Sequence, residues 1–165
     1  MRSALILALV ATPLWAQDEL PFDPVVIDQC LATGLHDTCI GMAARTCEAQ
    51  AGPMARGLCL GNERAFWQGR ADAARAALQS AEAEVQARAA QRSTPIDTLE
   101  VLEATFQTYL TSACDWRQAQ WDGVHSGFEW AECQMRLTAH HALLLEGGWM
   151  TDRRTSSARR LHDDP

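Results

Sequence analysis

This sequence of 165 residues contains no lysine; all 14 of its positive charges are arginine, set against 21 carboxylates. The arginine bias is compositional in the first instance, but the sum has a consequence. A formal charge of −7 repels phosphates and argues against a nucleic-acid binder. After the first sixteen residues no apolar run approaches the roughly 20 residues of a membrane helix, so no stable insertion is expected once those residues are removed. Strand-like alternation and internal repeats are also missing. There is no G-x-S-x-G, no H-E-x-x-H, no phosphate-cradling glycine loop and no calcium loop. Zinc spacing of the C-x2-C kind is absent too, the cysteine gaps being nine, eight, twelve, fifty-five and nineteen residues. No catalytic residue, metal ligand or cofactor is therefore assigned.

What is present begins with an address. Arg2, the apolar stretch Leu5 to Leu14 and the small Ala16 read as an export signal over residues 1–16. Removing it leaves 149 residues, 13 Arg against 21 acids and a net charge of −8, a length suited to one helical domain over 17–149. All six cysteines (Cys30, Cys39, Cys47, Cys59, Cys114 and Cys133) follow that signal. An even number of cysteines in an exported chain indicates disulfides in an oxidising space, periplasmic or secreted.

Periodicity predicts helices almost throughout. Asp23-Pro24 opens a short helix that Gly34 closes, and a second runs from about Asp37 to Gln50, ended by Gly52-Pro53. A long stretch follows to Arg92, with Ala74, Leu78, Ala81 and Val85 on one face and Gly57, Gly61 and Gly69 as interruptions of its first half. Ser93-Thr94-Pro95 stops it, and Thr94 is the expected cap of the next helix. That helix places Leu99, Leu102, Phe106, Tyr109 or Leu110, and Ala113 on one side. A turn around Asp122-Gly123 leads to the last helix, where Cys133, Leu137, His141 and Leu144 share a face and Gly147-Gly148 ends the run. Residues 150–165 have no periodicity and are expected to be disordered. The fold class is all-α, a small disulfide-stapled bundle of antiparallel helical hairpins.

Helix ends constrain the bridges. On a continuous helix Cys39 and Cys47 would lie about 12 Å apart at ~1.5 Å per residue. A disulfide tolerates an α-carbon separation of only about 7 Å, which excludes that pair. Cys30 and Cys39 straddle Gly34, Cys47 and Cys59 straddle Gly52-Pro53, and Cys114 and Cys133 straddle the turn near Gly123, so sequential pairing is expected. A crossed arrangement, Cys30 to Cys47 with Cys39 to Cys59, stays open.

Adjacent His140 and His141 point about 100° apart on a helix and cannot chelate one metal as an i, i+4 pair would. The simpler reading has one half buried and the other solvated. Glu82 and Glu84, like Glu100 and Glu103, read as a solvated face. More suggestive are Trp116, Trp121, Phe128 and Trp130, crowded around the last turn with Asp115, Asp122, Glu129 and Glu132. Exposed tryptophans edged by acids would suit a basic protein partner, through contact area and electrostatic steering. Trp116, Trp121, Asp122, His125 and Trp130 are the candidate contact residues. Alternatively, two or three of the rings cover the disulfide and fill the hairpin end. Trp67 reads as core.

The run Glu103-x-x-Phe106-x-x-Tyr109-x-x-x-x-Cys114, then a Gly-containing turn, then Cys133-x-x-x-Leu137-Thr138-x-x-His141-x-x-x-Leu145, resembles the lysozyme inhibitor LprI-like domain family. Cys59, Trp67 and Leu78 are also placed as in that family, so the resemblance covers about residues 59–145, with Cys30 to Cys47 as an N-terminal extension. Departures are Glu103 for Gln, Phe106 for Trp, Leu110 for Arg and His141 for Arg, and Ala71-Asp72-Ala73-Ala74-Arg75 for a Leu-Asn-x-x-Tyr segment. The resemblance implies an exported, non-catalytic, disulfide-stapled helical protein that inhibits a lysozyme by occluding its cleft. A cell-envelope interaction module with another partner is the alternative, and an exported metal binder using His125, His140, His141 and free thiols is a third.

Overall fold

In the computed structural model, residues 20–34 and 36–147 are described; the expected export signal and C-terminal tail lie outside them. The order is α1 (Val25–Leu31), α2 (His36–Cys39), α3 (Met42–Ala51), a 3-10 turn (Pro53–Ala55), α4 (Arg56–Gln91), α5 (Leu99–Gln118) and α6 (Val124–Leu145), with no strand among the described residues. The protein is an all-α bundle stapled by disulfides. α4, α5 and α6 run up, down and up. Two ion pairs record the parallel course of α4 and α6: Arg56 to Glu132 at 2.8 Å and Arg70 to Glu146 at 2.9 Å, each pair fourteen residues further along both helices. α6 packs on both other long helices, whereas α4 and α5 touch little beyond their connecting end. The short helices α1 to α3 close over α4 and α6, so the core joins Ile27, Ile40, Ala43 and Cys47 to Leu60, Trp67, Met135, Ala139 and Leu143.

The bridges are Cys30–Cys39, Cys47–Cys59 and Cys114–Cys133, with α-carbons 5.6, 5.7 and 5.5 Å apart. The expected helix over residues 37–50 is broken, because the chain turns at Ile40-Gly41 and Gly41 sits at φ 83°, a left-handed conformation that favours glycine. The exclusion of Cys39 with Cys47 rested on a continuity that the chain does not have. The expected glycine interruptions of α4 do not occur either: the helix is continuous over 36 residues. A methyl at Gly57 would lie 3.6 Å from the Phe128 ring, an ordinary contact distance, so the packing of α6 on the start of α4 does not itself demand a glycine there. Individual glycines weaken a helix by about 1 kcal/mol, which tertiary packing offsets.

Two glutamates of α4 supply helix starts elsewhere. Glu63 is fully buried and accepts from the backbone N–H of Gly41 and Ala44 (the latter at 2.7 Å) and from the Trp67 indole at 3.1 Å. One carboxylate thus performs both halves of a capping box for α3, whose own N-cap residue is a glycine without a side chain to offer. The partial positive charge at the helix start also favours the buried anion. Glu82 accepts from Leu99 N at 2.9 Å, while Thr98 Oγ1 accepts from Val101 N. The cap of α5 is therefore Thr98 and not Thr94, and Glu82 is half buried in place of lying on a solvated face. Thr94 belongs to the end of α4: its N–H reaches Ala89 O and that of Ser93 reaches Ala90 O, both at 3.0 Å, with Ser93 at φ 55°. This is a Schellman stop with serine where glycine is usual.

Candidate binding surface at the α5–α6 hairpin

The hairpin is set by local chemistry at its turn. Trp121 N donates to Gln118 O, Ser126 Oγ donates to Gly123 O, and Gly123 adopts φ 60°, ψ −142°, a conformation open in practice only to glycine. One helical turn into α5, Cys114 is tied to Cys133. Arg117 pairs with Glu129 at 2.7 Å across the turn and lies 5.6 Å above the Trp121 ring. Residues 115–130 are thus cross-linked by a covalent bond, an ion pair and a cation–π contact.

The predicted contact residues separate onto different sides of this hairpin. Trp116 is 74 % exposed and borders an open groove of about 450 Å³ between α5 and α6, with Tyr109 on the same edge and Leu137 and His140 opposite. Trp121 remains 43 % exposed. Trp130 is half buried and donates its indole N–H to Asp115 at 3.2 Å. Phe128 lies against Gly57 and beneath Arg56, so it packs α6 on α4. Asp122 and His125 are exposed at the turn. Two rings of the four are consequently engaged in packing and hydrogen bonding, and two are free to meet a partner.

The acids are also less available than the sequence suggested. Glu129 is held by Arg117, and Glu132 by Arg136 at 3.0 Å and Arg56 at 2.8 Å. Burial works to raise the Glu132 pKa, but hydrogen bonds and charge from Arg136 and Arg56 outweigh it and hold the carboxyl below its ordinary value of 4.5. The groove beside Trp116 therefore has mixed and largely neutralised charge, whereas the turn itself keeps Asp115 and Asp122.

Tyr109 was not separated from Leu110 by periodicity. Leu110 is the buried one, at 4 % exposure, and Tyr109 is 59 % exposed. The seven-residue spacing of Leu102, Tyr109 and Trp116 is the signal that finds this row. His141 is buried, stacked on Phe106 at 3.7 Å between ring centroids and bonded to Glu103 at 2.8 Å, while exposed His140 sits 3.6 Å from Asp37. Among the described residues no three His, Cys, Asp or Glu side chains converge as a metal site, and every cysteine is bridged, which removes the free thiols that the metal-binding alternative needs. No described helix is long and apolar enough to cross a membrane. Three disulfides place the chain in an oxidising compartment. No family profile, curated protein or solved structure matches this sequence.

Proposed function

We propose that this is an exported, periplasmic or secreted, non-catalytic binding protein that inhibits a lysozyme by placing the tip of the α5–α6 hairpin in the enzyme's cleft. The observation that carries the reading is Trp116, 74 % exposed on a stapled hairpin beside Asp115 and the turn acid Asp122. A rigid aromatic anchor gives contact area at little ordering cost, and acids at its edge favour a basic surface. The resemblance to LprI-like proteins supports the same reading. Three of its departures form one cluster, Glu103 and Phe106 both contacting His141, and Leu110 is the remaining departure on this helix pair. With a net charge of −8 after export, association with a basic enzyme is expected to be fast and to weaken as salt rises.

The test is inhibition of purified lysozymes of several classes by the oxidised exported protein over a range of ionic strength. Inhibition should fall with salt, and Trp116→Ala should reduce it at least about tenfold, with Trp121→Ala and Asp122→Asn adding to the loss. Absence of inhibition for every class at micromolar protein transfers the function to the second reading, a cell-envelope interaction module. That reading is favoured by the neutralised groove: Glu129 and Glu132 are already paired with arginines, which suits a partner whose binding is insensitive to salt.

A further inference from the structure

The outer side of α5 has two unusual properties. From Ala104 to Cys114 it carries no charged residue over eleven positions, although the chain is 21 % charged and most of this segment is exposed. It also presents Leu102, Tyr109 and Trp116 along one line, 41, 59 and 74 % exposed. A seven-residue step drifts only about 20° around a straight helix, so these three form a row of about 21 Å, with the uncharged Thr105, Phe106, Ser112 and Ala113 between its members.

The two ends of the row are complementary in shape. At one end Trp116 projects. At the other, Leu102 borders a mainly apolar hollow of about 160 Å³ lined by Leu78, Val85, Ile96 and Leu99, with Asp97 and Glu82, the latter bonded to Leu99 N, also on its wall. Tyr109 lies seven residues from each. A two-fold axis through Tyr109 therefore brings the Trp116 of one molecule to the hollow of another, and the reverse, in a single antiparallel register. Charge agrees with this. Two copies of a chain of formal charge −7 repel one another over most of their surfaces, and the contact that escapes repulsion must be uncharged or internally paired. The middle of α5 is uncharged, and Arg117–Glu129 and Arg136–Glu132 neutralise the flank.

We propose that α5 is the interface of an isologous dimer, formed with a second copy of this chain, with Tyr109 on the axis and each Trp116 seated in the hollow beside Leu102 of the other copy. The contact goes beyond the inhibitor reading and does not rest on it, but the two compete for Trp116, so the dimer would hold that ring out of reach until it dissociates.

The sequence provides an unusually direct test, because Tyr109 is its single tyrosine. Any dityrosine formed by mild oxidation must join two chains at residue 109. The oxidised exported protein, residues 17–165, without lysozyme, should yield dityrosine at low concentration and sediment as a dimer. Tyr109→Arg, which sets two guanidiniums on the axis, should give a monomer with unchanged helicity. Ile96→Arg, at the rim of the hollow and remote from the axis, should weaken association at least about tenfold. A monomer without dityrosine up to about 100 μM, or a dimer that survives Tyr109→Arg, overturns the interface; a dimer indifferent to Ile96→Arg overturns the seating of Trp116. Lysozyme inhibition is measured separately, so failure of either proposal leaves the other standing.

Discussion

The two halves of α4 follow the same helical geometry under opposite conditions. From Arg56 to Ala71 the helix buries Cys59, Leu60, Glu63, Trp67 and Ala71; from Asp72 to Gln91 only Ala89 is buried. The first half is held by a disulfide, a buried hydrogen-bonded carboxylate and the core. The second is a run of good helix formers whose partly buried Ala74 and Leu78 touch the core at its edge. With almost nothing buried, it persists as the continuation of a helix already nucleated in the first half and leans on the start of α5. Long continuous helices therefore need not be uniformly stable, and local opening should begin at the distal end.

The sharpest way to break this contrast is at Glu63. Glu63→Gln turns an acceptor of three N–H groups into a side chain whose amide must face one of them, leaving buried donors unsatisfied. A loss of about 3 kcal/mol is expected, whereas Leu78→Ala in the distal half should lose only about 1–2 kcal/mol at its partly exposed site. Urea unfolding of both variants checks the order; equal losses would contradict it. Next comes the hairpin staple. Replacing both Cys114 and Cys133 by serine should destabilise by roughly 3 kcal/mol, with the melting temperature as readout, and an unchanged melt would deny the bridge a structural role.

A smaller effect concerns acid. Glu132 has a lowered pKa in the folded chain, so its contribution is present above the ordinary value of 4.5 and disappears as pH falls through the lowered one. Arg56→Met removes one of the two arginines responsible. It should shrink the loss of stability between neutral pH and the region below 4.5, while costing less than about 1 kcal/mol at neutral pH because the pair is partly exposed. Stability curves at the two pH values decide it. The smallest effect should be a gain. Ser93 holds a left-handed φ of 55°, and Ser93→Gly should stabilise the end of α4 by a few tenths up to about 1 kcal/mol. Slower hydrogen exchange confined to about residues 80–91 would show that the gain belongs to the distal half.

Much of the fold was legible because its punctuation is local. Asp23-Pro24, Gly52-Pro53 and Ser93-Thr94-Pro95 mark boundaries by chemistry that acts within a few residues, and hairpin geometry orders the cysteines. The break at Gly41 and the capping roles of Glu63 and Glu82 were not legible, because each depends on a residue at least seventeen positions away. The binding surface was half visible. Composition located the cluster of rings, but whether a ring faces solvent depends on what α6 and α4 cover. Glu132 with Arg136 could have been noticed as an i, i+4 pair; Arg117 with Glu129 pairs only across the turn.

Glu63 also bears on what can be cut from this molecule. The cysteine-rich start of the chain resembles an appendix to a helical hairpin, yet deleting α1 to α3 would strip the Glu63 carboxylate of two of its three donors, open the Trp67 indole to water and leave the Cys59 thiol without a mate, all on one patch of α4. The appendix and the bundle are thus a single indivisible part. A shortened version made to study the hairpin alone would carry a charged and reactive scar where the intact protein has its core.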